Sequence, residues 1–260
     1  MCSGHVTIIV FSTIIVLATL RVSIVRCEQQ PPTTTSTNSD GGRHLVCQNA
    51  TNATTRLDAL TQAFGGGGSS PIDVLFLVDR SQSCKDRFNQ TKDFIVFLTT
   101  YLVATYGLLI GDGYVNVDVS TFAAQTTRDV VDVDACGLNS TVEGLTYRDE
   151  AAKSTELGDA LHDSVGVFLS ASRPTAGKVL FVLSDGEATD VDSKNAIAAV
   201  QHFKNVGGTV FSVGIGQPPV GWYTSAGERT MEGIATDANH YACIDNWSSF
   251  ISSNAQQYGK

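Results

Sequence analysis

Positive charge is what this sequence has least of. Lysine and arginine total 17 against 26 aspartates and glutamates, a net charge of -9. A chain so short of cations cannot neutralise a phosphate backbone, which excludes nucleic acid as a partner and disfavours anionic membrane surfaces. Also missing are a C-x-x-C pair among the six cysteines, a zincin motif, a Ser-His-Asp spacing and a phosphate-cradling glycine loop. Zinc-ribbon chemistry, metalloprotease chemistry and nucleotide binding therefore have no local signature. No internal repeat is visible, and no membrane span or lipid-anchor signal follows the last predicted helix. What is present is ordinary globular material, 42% hydrophobic and 8% aromatic, enough for one sizeable domain with appendages.

Residues 1–27 read as a secretory signal peptide, with Val6 to Leu20 almost wholly apolar. Its n-region is atypical, since Arg21 and Arg26 follow the apolar run rather than precede it, and an uncleaved signal anchor is the alternative. Cleavage near Cys27 and Glu28 removes two arginines and no acid, taking the balance from -9 to -11. Five N-x-[ST] sequons, at Asn49, Asn52, Asn89, Asn139 and Asn246, fit a secreted glycoprotein. Beyond the signal stand Cys47, Cys84, Cys136 and Cys243, an even set without metal-type clustering, so disulfides are expected in an oxidising compartment. The expected localisation is extracellular, with no membrane insertion of the mature chain.

Residues 28–70 are expected to be a disordered stalk and linker. Glu28 to Gly42 offers no large apolar residue to bury, and Gly65 to Ser70 is four glycines and two serines. Between them Leu57, Leu60 and Phe64 have helical spacing, readable as a helical turn leaning on the domain or as more stalk. The domain proper is expected over residues 71–260, opening at Pro71.

Val74-Leu75-Phe76-Leu77-Val78 is an unbroken apolar run, which suits a strand buried on both faces. A helix is predicted over Lys85 to Tyr106, then strands at Tyr114 to Val119 and Thr126 to Val133. Too few residues separate those strands for a crossover helix, so they form a hairpin whose second strand is an antiparallel edge. Helices follow at Asn139 to Tyr147, with Val142 and Leu145 inward, and at Thr155 to Ser170. Lys178 to Leu183 is a strand, Asp192 to Asn205 a helix with Ile197, Val200 and Phe203 inward, and Thr209 to Ile215 a strand. Met231 to Thr236 is a short helix, His240 to Ile244 a strand and Asn246 to Gln256 a closing helix. The alternation gives an α/β fold with a doubly wound, mostly parallel, Rossmann-like sheet.

Ligands of such sheets bind beyond the carboxyl ends of the strands, and the oxygen donors gather there. Asp79, Ser81 and Ser83 stand in D-R-S-Q-S directly after the first apolar run. Thr155 stands at the mouth of a helix in S-T-E-L-G-D, and Asp185 ends a central strand in L-S-D-G. Carboxylates and hydroxyls are hard donors, suited to Mg²⁺, Mn²⁺ or Ca²⁺ and poorly suited to copper or zinc. Each piece has a plain alternative: Asp79 and Ser81 as helix caps, Asp185 as a turn residue. His240 and Tyr241 read as strand packing, Asp190 and Asp192 as helix-start residues, and Arg80 and Gln82 as loop residues touching a partner or solvent.

Taken together the pattern resembles the von Willebrand factor type A domain, the fold of the inserted domain of integrins, over roughly Pro71 to Tyr258. The resemblance implies a metal-ion-dependent adhesion site at Asp79, Ser81, Ser83, Thr155 and Asp185, all five present. It implies direct ligation by Ser81, Ser83 and Thr155, with Asp79 and Asp185 acting directly or through water. V-F-S-V-G-I-G at Val210 to Gly216 also fits. Lys153-Ser154 departs from the glycines many members carry before the threonine, which implies a stiffer loop and counts against a large switching motion.

The implied cofactor is a divalent cation, Mg²⁺ in the first place, with Mn²⁺ or Ca²⁺ as the other candidates. Mg²⁺ takes six oxygens and usually keeps waters, so five protein groups leave an exchangeable position that a partner carboxylate can fill. The expected function is a secreted adhesion or matrix module binding an extracellular protein ligand through Asp or Glu, collagen or another matrix protein included. The alternative is a structural matrix glycoprotein in which the metal only stabilises the fold. An enzyme is not expected: a phosphatase using Asp79 as nucleophile would want a second acid two residues on, where Ser81 stands. With strands running toward the site edge, Cys84–Cys243 and Cys47–Cys136 are the favoured disulfide pairings.

Overall fold

The computed structural model describes residues 62–64, 71–106, 115–123, 126–130, 135–147, 156–215 and 225–243. The signal segment, Cys47, Thr155 and the expected helix at Asn246 to Gln256 lie outside the described residues.

Six strands form one sheet: β1 (Ile72–Asp79), β2 (Val115–Phe122), β3 (Thr126–Val130), β4 (Gly177–Ser184), β5 (Thr209–Gly214) and β6 (Tyr241–Cys243). Their order across the sheet is β3-β2-β1-β4-β5-β6. All neighbours pair in parallel except β2 with β3, the expected antiparallel edge. β1 is buried along its whole length because it is central and covered on both faces. Its alternation sorts the core in two. Val74, Phe76 and Val78 face one layer, Leu75 and Leu77 the other.

The first layer is closed by α1 (Phe88–Tyr106) and α2 (Ala135–Gly144), through Phe88, Ile95, Leu98, Leu138 and Val142. The second is closed by α3 (Leu157–Ala171), α4 (Asp190–Asn205) and α5 (Ser225–Ile234), through Leu161, Phe168, Val200, Phe203 and Met231. An aromatic column crosses the first layer. Phe64 stacks on Phe181 at 6.4 Å between ring centroids, Phe76 on Phe181 at 5.0 Å and Phe181 on Phe211 at 4.8 Å. His240 continues it against Phe211 at 4.8 Å, in the packing role expected of it.

Three expectations are corrected. The helix expected at Asn139 to Tyr147 begins at Ala135 and ends at Gly144, leaving Leu145 beyond it and half-buried. Ile197 is 39% exposed rather than inward. It lies on the flank of α4 toward α5, where a Cβ at Gly233 would come within 2.9 Å of its Cδ1. The helix expected from Lys85 opens as a 3₁₀ turn, Gln82–Arg87, before α1 proper.

Opposite the site edge, Arg173 clamps the start of β1. Its Nε donates to Asp73 Oδ1 at 2.8 Å and its backbone N–H to Asp73 Oδ2 at 2.7 Å. With both oxygens of the buried Asp73 carboxylate held by one residue, side chain on Oδ1 and backbone on Oδ2, the half-buried Arg173 fixes geometry as well as charge.

Candidate metal centre

β1 and β4 lie side by side, with Val78 opposite Leu183, so the residues that end them, Asp79 and Ser184, emerge together. Asp79 is fully buried, and Ser81 and Asp185 are 2% exposed. Asp79 Oδ1 accepts the backbone N–H of Ser81 at 2.8 Å, which turns the chain back over the carboxylate. That turn brings the hydroxyls of Ser81 and Ser83 to 3.0 Å from each other. Ser81 makes no side-chain capping bond to the 3₁₀ turn that follows, so the helix-cap reading does not describe it. Asp79 Oδ2 accepts from Ser184 Oγ at 2.6 Å, and Ser184 Oγ in turn accepts the N–H of Gly186 at 3.0 Å.

Asp185 enters from β4. Its Oδ1 accepts the N–H of Glu187 at 3.0 Å. Its Oδ2 is buried without a hydrogen-bond partner. Buried carboxylate oxygens are normally satisfied, and an orphan calls for an explanation. Gly186 follows with φ 68°, a left-handed conformation in which a Cβ would meet the carbonyl oxygen of Gly227 at 2.4 Å. The close approach of α5 thus seats the Asp185 loop.

Carboxylate oxygens of Asp79 and Asp185 and the Cys84 sulfur lie within 4.8 Å of one another. Burial first, then the charge of Asp185, pushes the Asp79 carboxyl up from 3.8 to about 6, against the hydrogen bonds from Ser184 and Ser81. Burial, with the charges of Asp79 and Asp185, pushes the Cys84 thiol well above its ordinary value. Cys84 is a free, buried thiol and belongs to the hydrophobic core. The expected Cys84–Cys243 bridge is therefore not formed: the sulfur floors the site instead of reaching β6. The pairing of Cys47 with Cys136 involves side chains outside the described residues.

Thr155 lies outside the described residues. The residue after it, Glu156, donates its backbone N–H to Ala123 O at 3.2 Å, just past the end of β2. α3 then begins without a cap of its own. Asp192 of α4 caps it from outside, Oδ1 accepting the N–H of Gly158 at 2.8 Å. A Cβ at Gly158 would come within 2.7 Å of Asp192 Oδ1 and of Asn195 Cβ, so the contact requires glycine. The sequence reading made Asp192 a helix-start residue; the cap of its own helix is Thr189, whose hydroxyl accepts the N–H of Asp192. Arg80, expected to touch a partner or solvent, is 5% exposed, while Gln82 is exposed. The Arg80 backbone N–H donates to Phe122 O at 2.8 Å and holds the loop to β2. Ser184, Asp192 and Gly227 were not singled out as site residues; only the position of Ser184 just before Asp185 carried a signal.

Two neighbouring buried carboxylates, two neighbouring hydroxyls and one orphaned carboxylate oxygen suit a hard divalent cation. Residues 73–256 match the family model of the von Willebrand factor type A domain. The chain belongs to that family. Among curated von Willebrand factor type A relatives, human matrilin-1 is 27% identical over 212 residues, 78% of this chain and 36% of matrilin-1. The human collagen alpha-5(VI) chain is 26% identical over 180 residues, 68% of this chain and 6% of the collagen chain. The chain thus spans about a third or less of the length of these relatives. Among solved structures, the mussel byssus proximal thread matrix protein 1 with a zinc-occupied MIDAS motif superposes with a TM-score of 0.56 at 17% identity. The match covers 74% of this chain and 46% of that one. Manganese-loaded Plasmodium vivax TRAP protein gives 0.53 at 19% identity, over 70% and 74% of the two chains. At these identities the superpositions establish the von Willebrand factor type A fold.

Proposed function

We propose that this protein is a secreted adhesion or matrix module that binds a protein ligand through a divalent cation held by Asp79, Ser81, Ser83, Thr155 and Asp185. The observation that carries this reading is the orphaned Asp185 Oδ2, buried beside a second carboxylate in a pocket of hydroxyls. The bound cation, Mg²⁺ before Mn²⁺ or Ca²⁺, would offset the two negative charges and leave a coordination position for an Asp or Glu of the partner. Asp79 and Asp185 set the charge, while Ser81 and Ser83 present oxygens held by the turn on Asp79 Oδ1. Ser184 and Gly186 hold the carboxylates in place. The matrix relatives support an extracellular, non-enzymatic role. Among the described residues no helix is long and apolar enough to cross a membrane.

Isothermal titration with Mg²⁺ and Mn²⁺, on the wild type and on Asp79→Ala combined with Ser83→Ala, tests the metal site. Saturable binding lost in the double variant, with the circular dichroism spectrum retained, is the expected result. Equal binding by both proteins would remove the proposal. A pull-down from extracellular matrix in Mg²⁺ and in EDTA then separates adhesion from a purely structural metal. Capture lost in EDTA supports adhesion; capture unchanged while only the melting temperature falls supports the structural role.

A further inference from the structure

The floor of the metal centre is sulfur rather than oxygen. Cys84 directly follows Ser83, is 1% exposed and is a free thiol. Its Sγ and one carboxylate oxygen each from Asp79 and Asp185 lie within 4.8 Å of one another. The Ser81 side chain and the Asp185 backbone hydrogen-bond the sulfur, so it touches the loops that carry the oxygen donors. A buried cysteine is ordinarily a small hydrophobe, and the core contacts of Cys84 fit that role. Packing alone does not explain its neighbour: the Asp185 carboxylate of the same cluster has one oxygen, Oδ2, buried without a partner.

Oxygen donors alone select Mg²⁺, Mn²⁺ or Ca²⁺, and a sulfur among them widens the choice. Thiolate is a soft ligand that favours Zn²⁺ and ions like it. Zn²⁺ binds sulfur at about 2.3 Å and carboxylate oxygen at about 2.0–2.2 Å, so its ligand atoms stand at most about 4.5 Å apart. The three atoms of this cluster need little closure to reach one ion. Asp79 accepts hydrogen bonds from Ser81 and Ser184, and a carboxylate with about four lone-pair sites can still take an ion. Two carboxylates and one thiolate supply three ligands of a four-coordinate ion and leave one position open. The thiol proton passes to solvent as the ion binds, because a coordinating thiol is deprotonated outright.

We propose, resting on the metal-site reading, that Cys84 is a further ligand of this centre, engaged with Asp79 and Asp185 when the site takes a borderline-soft divalent ion such as Zn²⁺. Hard ions then use the oxygens alone, and a softer ion the sulfur as well.

Co²⁺, a coloured ion that takes the same ligands as Zn²⁺, is the probe for the full chain under reducing conditions. A sulfur-to-metal charge-transfer band is expected, saturating at one equivalent and displaced by Zn²⁺. Cys84→Ser and Asp185→Asn should each abolish it, the second variant tying the sulfur to this centre rather than to another cysteine. Zn²⁺ binding to Cys84→Ser should weaken by at least the roughly 10-fold that loss of an outer-shell partner costs, with a smaller loss for Mg²⁺. If Cys84→Ser does not fold, X-ray absorption of the Zn²⁺-loaded wild type reads the sulfur directly, at about 2.3 Å from the ion. Mg²⁺ binding with no sulfur band from Co²⁺, or a band that persists in Cys84→Ser, would overturn the role of Cys84 and leave the oxygen site standing. Absence of all divalent binding would remove both.

Discussion

Ser184 Oγ donates to Asp79 Oδ2 at 2.6 Å, joining the ends of two adjacent parallel strands through their side chains. The same hydroxyl accepts the N–H of Gly186, so one oxygen orders both the Asp79 carboxylate and the turn after Asp185. Ser184→Ala removes both bonds. Outer-shell partners of metal ligands are typically worth 10–100-fold in metal affinity, and a fall of about 10-fold in Mg²⁺ affinity is expected. Isothermal titration measures the fall, and thermal denaturation should show a loss of about 1–3 kcal/mol.

The pH dependence of stability should change sign with metal. Without a cation, Asp79 in the fold has a pKa raised from 3.8 to about 6. Its contribution is fully present below about pH 4 and is lost as pH rises through 6, up to about 3 kcal/mol. With EDTA the melting temperature should therefore fall between pH 4 and 7. With Mg²⁺ it should rise over the same range, because the cation takes the carboxylate form. Asp79→Asn should flatten both profiles; persistence of either slope in that variant would assign the titration to another group.

Gly186 allows one of the tightest contacts near the site. At φ 68°, with Gly227 O at 2.4 Å from where a Cβ would stand, Gly186→Ala combines backbone strain with a backbone collision. Destabilisation of about 2 kcal/mol or more is expected, read by urea denaturation. Metal affinity should fall in parallel, since relief of the clash moves the Asp185 loop away from α5.

Asp192 offers a way to perturb the Thr155 arm without touching a proposed ligand. Asp192→Ala uncaps α3 at Gly158 and should lower stability by about 1–2 kcal/mol. Asp192→Asn retains an acceptor oxygen and should recover most of that loss. Hydrogen exchange at Leu157 and Gly158 would localise the effect to the start of α3.

The mostly parallel sheet, the antiparallel edge and the two-faced burial of β1 were legible in the sequence because period and length speak for themselves in Val74 to Val78 and Lys178 to Leu183, whereas the strand order was not read from it. All five proposed ligands were legible as oxygen donors at the sheet edge; the structure brings Asp79, Ser81, Ser83 and Asp185 together, and Thr155 lies outside the described residues. Ser184 was not legible, since a serine at a strand end reads as an ordinary boundary residue until the register places Asp79 beside it. Asp192 is the helix-start residue its composition suggests, but its second role was not legible: helix-start composition describes its own helix and cannot say that another helix needs the same carboxylate. Cys84 was misassigned by pairing cysteines by strand end, which ignores depth. Its side chain lies in the floor of the site, where burial first and then the charges of Asp79 and Asp185 push its thiol up.

Phe64 has a practical meaning for anyone who cuts this chain. Composition places the boundary at Pro71, after the glycines. The ring of Phe64 nevertheless stacks on Phe181 of the central sheet and is 6% exposed. A recombinant fragment begun at Pro71 would bare the face of Phe181 to water and invite self-association. One begun near Leu57 keeps that face covered.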